Sequence, residues 1–215
     1  MIYQMTFAII TVALVAGSVA DRLRFSAFLL FCVFWLLLVY VPIAHWVWGG
    51  GFLGAAGVID FAGGTVVHLN AGVAGLVAAY VLGARRGYGS DNLAPYDLTL
   101  AVIGTGLLWV GWFGFNGGSA LGANSRAAMA IVSTHLAASA GAFTWMALEW
   151  WTRGKPSVLG MISGAVAGLG TITPASGSSY SRGSISRIAT TSWRSVSCNR
   201  GRSHPGALMK SERRT

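Results

Sequence analysis

Residues Asp60 to Asn70 read D-F-A-G-G-T-V-V-H-L-N, and they open an apolar run that continues through Ala71, Gly72, Val73, Ala74, Gly75 and Leu76 to Gly83. That length suits a membrane-spanning helix better than a soluble one. His68 is then an imidazole in hydrocarbon, where ionisable groups are costly, usually face a cavity or the bundle interior, and are candidates for function. Gly63, Gly64, Gly72 and Gly75 around it allow neighbouring helices to approach closely, so one segment serves both packing and chemistry.

Working outward, the composition agrees. Of 215 residues, 54% are hydrophobic and 10% charged, against roughly a quarter charged in soluble domains. The net charge of +9 suggests a nucleic-acid partner until it is mapped, because eight of the fifteen Lys and Arg lie beyond Gly177, opposed only by Glu212. No nucleic-acid role is expected. Cys32 and Cys198 form neither a disulfide framework nor a metal spacing, and no cofactor, metal or covalent chemistry is expected. The start, Met1 to Ser18, lacks a basic flank and a cleavage site, so it reads as a spanning helix rather than a signal peptide.

Five runs are long enough to span: Ile2 to Ala20, Phe25 to Val47, Phe61 to Gly83, Leu98 to Ala120 and Ala127 to Trp151. A sixth, Val158 to Thr173, makes only about 24 Å of helix against a hydrocarbon core of about 30 Å, and Pro174 stops it. The expected fold class is therefore all-α, a polytopic transmembrane helix bundle. Arg22 and Arg24, Arg85 and Arg86, and Arg153 and Lys155 fall in alternate connections, which assigns those connections to the cytoplasm. On that orientation Phe7 and Phe115 each lie about 8 Å below the outer surface, and His68 about 10 Å below it. Trp48 and Ser119 sit at the outer mouth. Trp112, Phe115 and Ser119, spaced i, i+3, i+7, share one helical face.

The chain divides into a membrane domain, 1–176, and a tail, 177–215, that is Ser/Arg-rich and without period. Such a composition cannot bury a core and predicts disorder. The abrupt change at Gly177 also fits a shifted reading frame, a lipid-binding or nucleic-acid-binding segment, or a linker; the frame shift is the favoured expectation.

Motifs in order along the membrane domain carry a specific resemblance. They are Y-Q-M-T-F-A-I-I-T-V at Tyr3, R-F-S-A at Arg24, P-I-A-H-W-V-W-G-G-G at Pro42, D-F-A-G-G-T-V-V-H-L-N-A-G at Asp60, G-W-F-G-F-N-G-G-S-A at Gly111 and G-K-P-S-V-L-G at Gly154. The chain resembles the ammonium transporter (Amt/Mep/Rh) family, matching the third to eighth of about eleven spanning helices that form an inverted repeat. The resemblance implies an incomplete ammonium transporter fold and transport of ammonium or ammonia across the plasma or bacterial inner membrane. It implies that Trp48, Phe7 and Ser119 form an external recruitment site with Trp112 close by, and that Asp60 is the buried acid beside it. Phe7 and Phe115 are implied as the stacked gate and His68 as the first of two pore histidines; no residue matches the second. A homotrimer in the lipid bilayer is implied too, as is a PII-type signal protein as partner of a full-length member.

Read from the residues alone, blander roles stay open. Asp60 can be a helix N-cap accepting from Ala62 or Gly63. Phe7, Phe115 and Trp112 can be lipid-facing or packing aromatics. His45 and His135 read as interfacial or interior groups, and Glu149 can pair with Arg153 at i+4. Rival functions are an ammonium sensor or receptor and a nonfunctional remnant.

Overall fold

The structure, a computed structural model, describes residues 1–91 and 93–178. The regular structure among these residues is all helical: α1 (Ile2–Val19), α2 (Phe25–Trp35), α3 (Val41–Trp48), the short α4 (Phe52–Ala55), α5 (Asn70–Leu82), α6 (Leu98–Gly118), α7 (Ser125–Arg153) and α8 (Val158–Ile172). Two π-helical turns, Leu36–Tyr40 and Gly64–Leu69, connect α2 to α3 and lead into α5. Five apolar helical stretches are long enough to cross a membrane, and α8 is the shorter sixth. The expected tail lies outside the described residues from 179 onward, together with Cys198 and His204.

The expected spans hold with local corrections. The second continues through a π-turn because Pro42 has no N–H, which frees a carbonyl one turn back and loosens the ladder. The third does not begin at Phe61. Gly63 adopts φ +100°, which only glycine reaches easily, so the helix starts at Gly64. The fifth begins at Ser125 rather than Ala127, because the Asn124 side chain accepts from the Ala127 amide and caps the extra residues. It runs on to Arg153, where Gly154 at φ +77° ends it.

Helix contacts follow the small residues. A Cβ on Gly141 would meet the Gly164 carbonyl, and one on Gly168 would meet that of Ala137, so α7 and α8 pack backbone against backbone. Gly75 of α5 faces the side chain of Ser18 of α1, so the close approach there is side chain on backbone. At one end of the bundle Arg22 donates to the carbonyls of Ser18 (2.8 Å) and Gly83 (2.5 Å), placing a cation on the C-terminal ends of α1 and α5. Arg85 reaches Asp21 at 3.1 Å. Two of the arginine-bearing connections thus meet at a single face, as one cytoplasmic side requires. Glu149 does pair with Arg153, at 3.5 Å. Its closer partners are the amide (2.8 Å) and hydroxyl (2.7 Å) of Ser157, at the start of α8.

The interior is aromatic and branched-aliphatic. Phe7, Trp35, Tyr40, Val47, Val66 and Val67 form one buried cluster, and Trp112, Ala138 and Leu169 a second. Phe115 packs against both.

Candidate functional site

The site is built on the turn that precedes α5. The carbonyl of Gly63 accepts from Val67 N at 2.8 Å and from His68 N at 3.1 Å, and the second of these bonds is the wide i to i−5 closure of a π-turn. An anionic cap holds the turn open. One Asp60 oxygen, Oδ1, accepts from the amides of Gly63 and Gly64, both at 2.7 Å, and Oδ2 accepts from Thr65 and Val66, both at 2.9 Å. The cap expected at Ala62 or Gly63 therefore falls on Gly63 and the three amides after it. Four bonds fill the two oxygens of a carboxylate, so Asp60 offers no free acceptor to a cation. It acts on the mouth through position instead: its own carbonyl accepts from the Trp48 indole Nε1 at 2.9 Å.

Above the turn the rings form a ladder. Phe7 of α1 stacks on Phe115 of α6, with centroids 4.2 Å apart and planes at 28°. Trp48 stands edge-on to Phe7 at 5.6 Å and 89°. On the other side His68 lies 5.7 Å from the Phe115 ring and stacks on Trp112 at 4.9 Å and 21°. Six of the seven residues singled out from sequence (Phe7, Trp48, His68, Trp112, Phe115 and Ser119) surround one locus. Asp60 supports it from behind.

Two contributors escaped sequence reasoning. Tyr3 meets the Phe7 ring edge-on at 4.9 Å, and its hydroxyl donates to the Phe115 carbonyl at 2.6 Å and lies 3.0 Å from Ser119 Oγ. Its i, i+4 spacing from Phe7 was the available signal. Ser119 also donates to the Phe115 carbonyl, at 2.8 Å, which leaves lone pairs on its oxygen for an incoming N–H. Thr173 is the second. Its Oγ1 accepts from Trp112 Nε1 at 2.8 Å and donates to the Leu169 carbonyl at 2.7 Å, fixing the indole on which His68 rests.

His68 separates two cavities. One, of about 600 Å³, is lined by Tyr3, Thr6, Ile10, Trp112 and Phe115; the other, of about 270 Å³, by Leu14, Ser18, Gly72, Gly75 and Gly170; the imidazole borders both. His68 Nε2 is buried with no hydrogen-bond partner among the described residues, so it can accept from, or donate to, a small polar guest between them. His45 and His135 stand apart. His135 contacts Trp109 and Phe113, not the ladder.

The profile of the Ammonium Transporter Family matches residues 1–186. The chain belongs to the ammonium transporter family. It is similar to the "Ammonium transporter" of Aquifex aeolicus, 55% identical over 177 residues that make up 82% of this chain and 41% of that protein. A "Putative ammonium transporter" of Methanothermobacter thermautotrophicus is 56% identical over 176 residues, 82% of this chain and 42% of the relative. Among solved structures, Saccharomyces cerevisiae Mep2 superposes with a TM-score of 0.75 at 44% identity, covering 80% of this chain and 39% of that one. A structure described as "Sensor Amt Protein" gives 0.76 at 32%, covering 81% and 46%. This ammonium transporter family member thus spans about two fifths of the length of the curated relatives it matches. It is a multi-pass protein of the cell membrane, in a family of transporters rather than enzymes.

Proposed function

We propose that this chain forms one side of a path that carries ammonium or ammonia across the membrane, gated by Phe7 and Phe115 and lined by His68. The observation that carries the reading is the continuous ring ladder from Trp48 through the Phe7–Phe115 stack to His68 on Trp112. Removing a bare cation from water costs many kcal/mol, and the mouth lowers that cost. Cation–π contact on Trp48 or Phe7 is worth about 2 kcal/mol where water is excluded. The Ser119 oxygen accepts an N–H bond that sodium and potassium cannot donate.

A hydrated ion does not pass between rings whose centroids are 4.2 Å apart. Ammonium therefore loses its proton near the stack; neutral ammonia passes the rings, and the proton travels separately by way of His68, which can take up and release it. By the family resemblance, the assembled protein is a homotrimer with one path per subunit, and a PII-type signal protein is a partner of the full-length form. A sensing role is the second reading, favoured by the likeness to the Sensor Amt Protein.

Uptake of labelled methylammonium by cells producing this chain tests transport directly. The reading predicts saturable uptake that His68→Ala changes in rate or in net charge moved. Uptake equal to that of empty cells refutes transport by this chain. Uptake and currents unaffected by His68→Ala refute the role of the histidine.

A further inference from the structure

The smaller cavity bordered by His68 reaches its inner end at Ser18 of α1 and Gly75 of α5. The two helices close up there, since a Cβ on Gly75 would meet the Ser18 hydroxyl. Both run from the outer to the cytoplasmic side, so their C-terminal ends lie together just below the cavity. Arg22 follows Ser18 by one helical turn, and Ala79 follows Gly75 by one. The Arg22 guanidinium joins the two ends: it donates to the carbonyls of Ser18 (2.8 Å) on α1 and of Ala79 (3.3 Å) and Gly83 (2.5 Å) at the end of α5. Ser18 therefore lines the cavity with one part of the residue and holds the cation with another.

The charges at this point balance. The last carbonyls of a helix have no partner within it, and aligned peptide dipoles place about half a negative charge at each C-terminal end. Two such ends side by side present about one negative charge, enough to draw a cation into the inner end of the cavity. Arg22 brings one positive charge to the same carbonyls. That charge is not neutralised elsewhere: the ion pairs among the described residues are Arg85 with Asp21 and Arg153 with Glu149. A cation then gains nothing below His68, while a neutral guest is unaffected. Arginines and helix dipoles set barriers of this kind in pores generally.

We propose that Arg22 is a specificity-determining residue at the inner exit, cancelling the negative ends of α1 and α5 so that ammonium and potassium find no site there and the neutral guest leaves. Its consequence for ammonia rests on the transport reading above. The cancelled charge itself is a property of the mouth and is measurable without transport.

The test uses the full 215-residue chain in an uncharged detergent, carrying Cys32→Ser and Cys198→Ser, with Ser18→Cys to place a thiol on the cavity wall. The thiol is modified by a trimethylammonium-bearing methanethiosulfonate and by neutral methyl methanethiosulfonate, and the ratio of the two rates reports the local potential. Arg22→Gln, which removes the charge, is expected to raise the ratio about tenfold. Arg22→Lys keeps the charge but loses the fork, and Arg24→Gln removes an exposed arginine of the same connection; each is expected to change the ratio less than about twofold. A helix cap with no electrostatic role predicts the same ratio for Gln and Lys at position 22. An unchanged ratio in Arg22→Gln overturns the proposal, and so does an equal rise in Arg22→Lys or in Arg24→Gln. A thiol that neither reagent modifies overturns it too, because the cavity then does not open at Arg22. If Arg22→Gln does not fold, the parent decides: its ratio is expected to hold or rise as salt is raised, and a fall, the mark of a net negative mouth, overturns the proposal. Failure of the parent to take up methylammonium refutes the transport reading and leaves these rates standing.

Discussion

Replacing Asp60 by Asn separates a carboxylate that builds the turn from one that binds the cation. Four amides, those of Gly63, Gly64, Thr65 and Val66, donate to its two oxygens at 2.7 to 2.9 Å. Asparagine keeps one acceptor oxygen and presents an NH2 where the other stood, so at least two amides face a donor. Hydrogen bonds to a charged acceptor contribute about 1.5–3 kcal/mol each, and losing two of them costs about 3–6 kcal/mol. The lost anion at the helix start adds about 0.5 kcal/mol. For a domain of this size each kcal/mol moves the midpoint by about 2–4 °C, so thermal unfolding of the detergent-solubilised chain is expected to fall by roughly 7–26 °C. Because the His68 amide closes the same π-turn, methylammonium uptake falls with it. An Asn variant that melts within about 2 °C of the parent yet no longer takes up methylammonium refutes the reasoning and moves the carboxylate to the cation.

Other outcomes follow from single contacts. A Cβ on Gly64 would land on the ring of Pro174, whereas one on Gly72 meets nothing within 4 Å; Gly64→Ala is expected to cost about 1–3 kcal/mol and Gly72→Ala almost nothing, by thermal unfolding. Thr173→Val leaves the buried Trp112 indole N–H without its acceptor and is expected to cost about 1–3 kcal/mol; a double-mutant cycle with Trp112→Phe isolates the pair. Ser119→Ala removes an acceptor at the mouth without disturbing the ring stack, and is expected to raise the KM for methylammonium up to about tenfold, the worth of one hydrogen bond, with smaller effect on the maximal rate.

The spans were legible because apolar length and loop arginines are one-dimensional signals. Counting residues from the outer surface put Phe7 and Phe115 at one depth, and their rings stack. The same counting put His68 just beneath, where it meets Phe115 and Trp112. What the sequence hid depends on contacts distant along the chain or on backbone geometry. Thr173 reaches Trp112 across 61 positions, and no local pattern announces it. Helix type before α5 is decided by a left-handed glycine and a four-amide cap acting together, so a periodicity argument starts that helix three residues early. Tyr3 carried its signal in its spacing from Phe7, but its value lies in a hydroxyl that meets α6 only after folding.

The account rests on an imidazole that lies next to the stacked pair of phenyl rings, with Phe115 in contact with it. Currents evoked by a rapid ammonium step in proteoliposomes test this most directly, in this chain and, in parallel, in the Aquifex aeolicus relative substituted at the matching positions. The account predicts a transient positive inward current that His68→Ala suppresses or makes unselective, and that Phe7→Ala with Phe115→Ala opens to potassium. Currents of unchanged size and selectivity in both variants would contradict it.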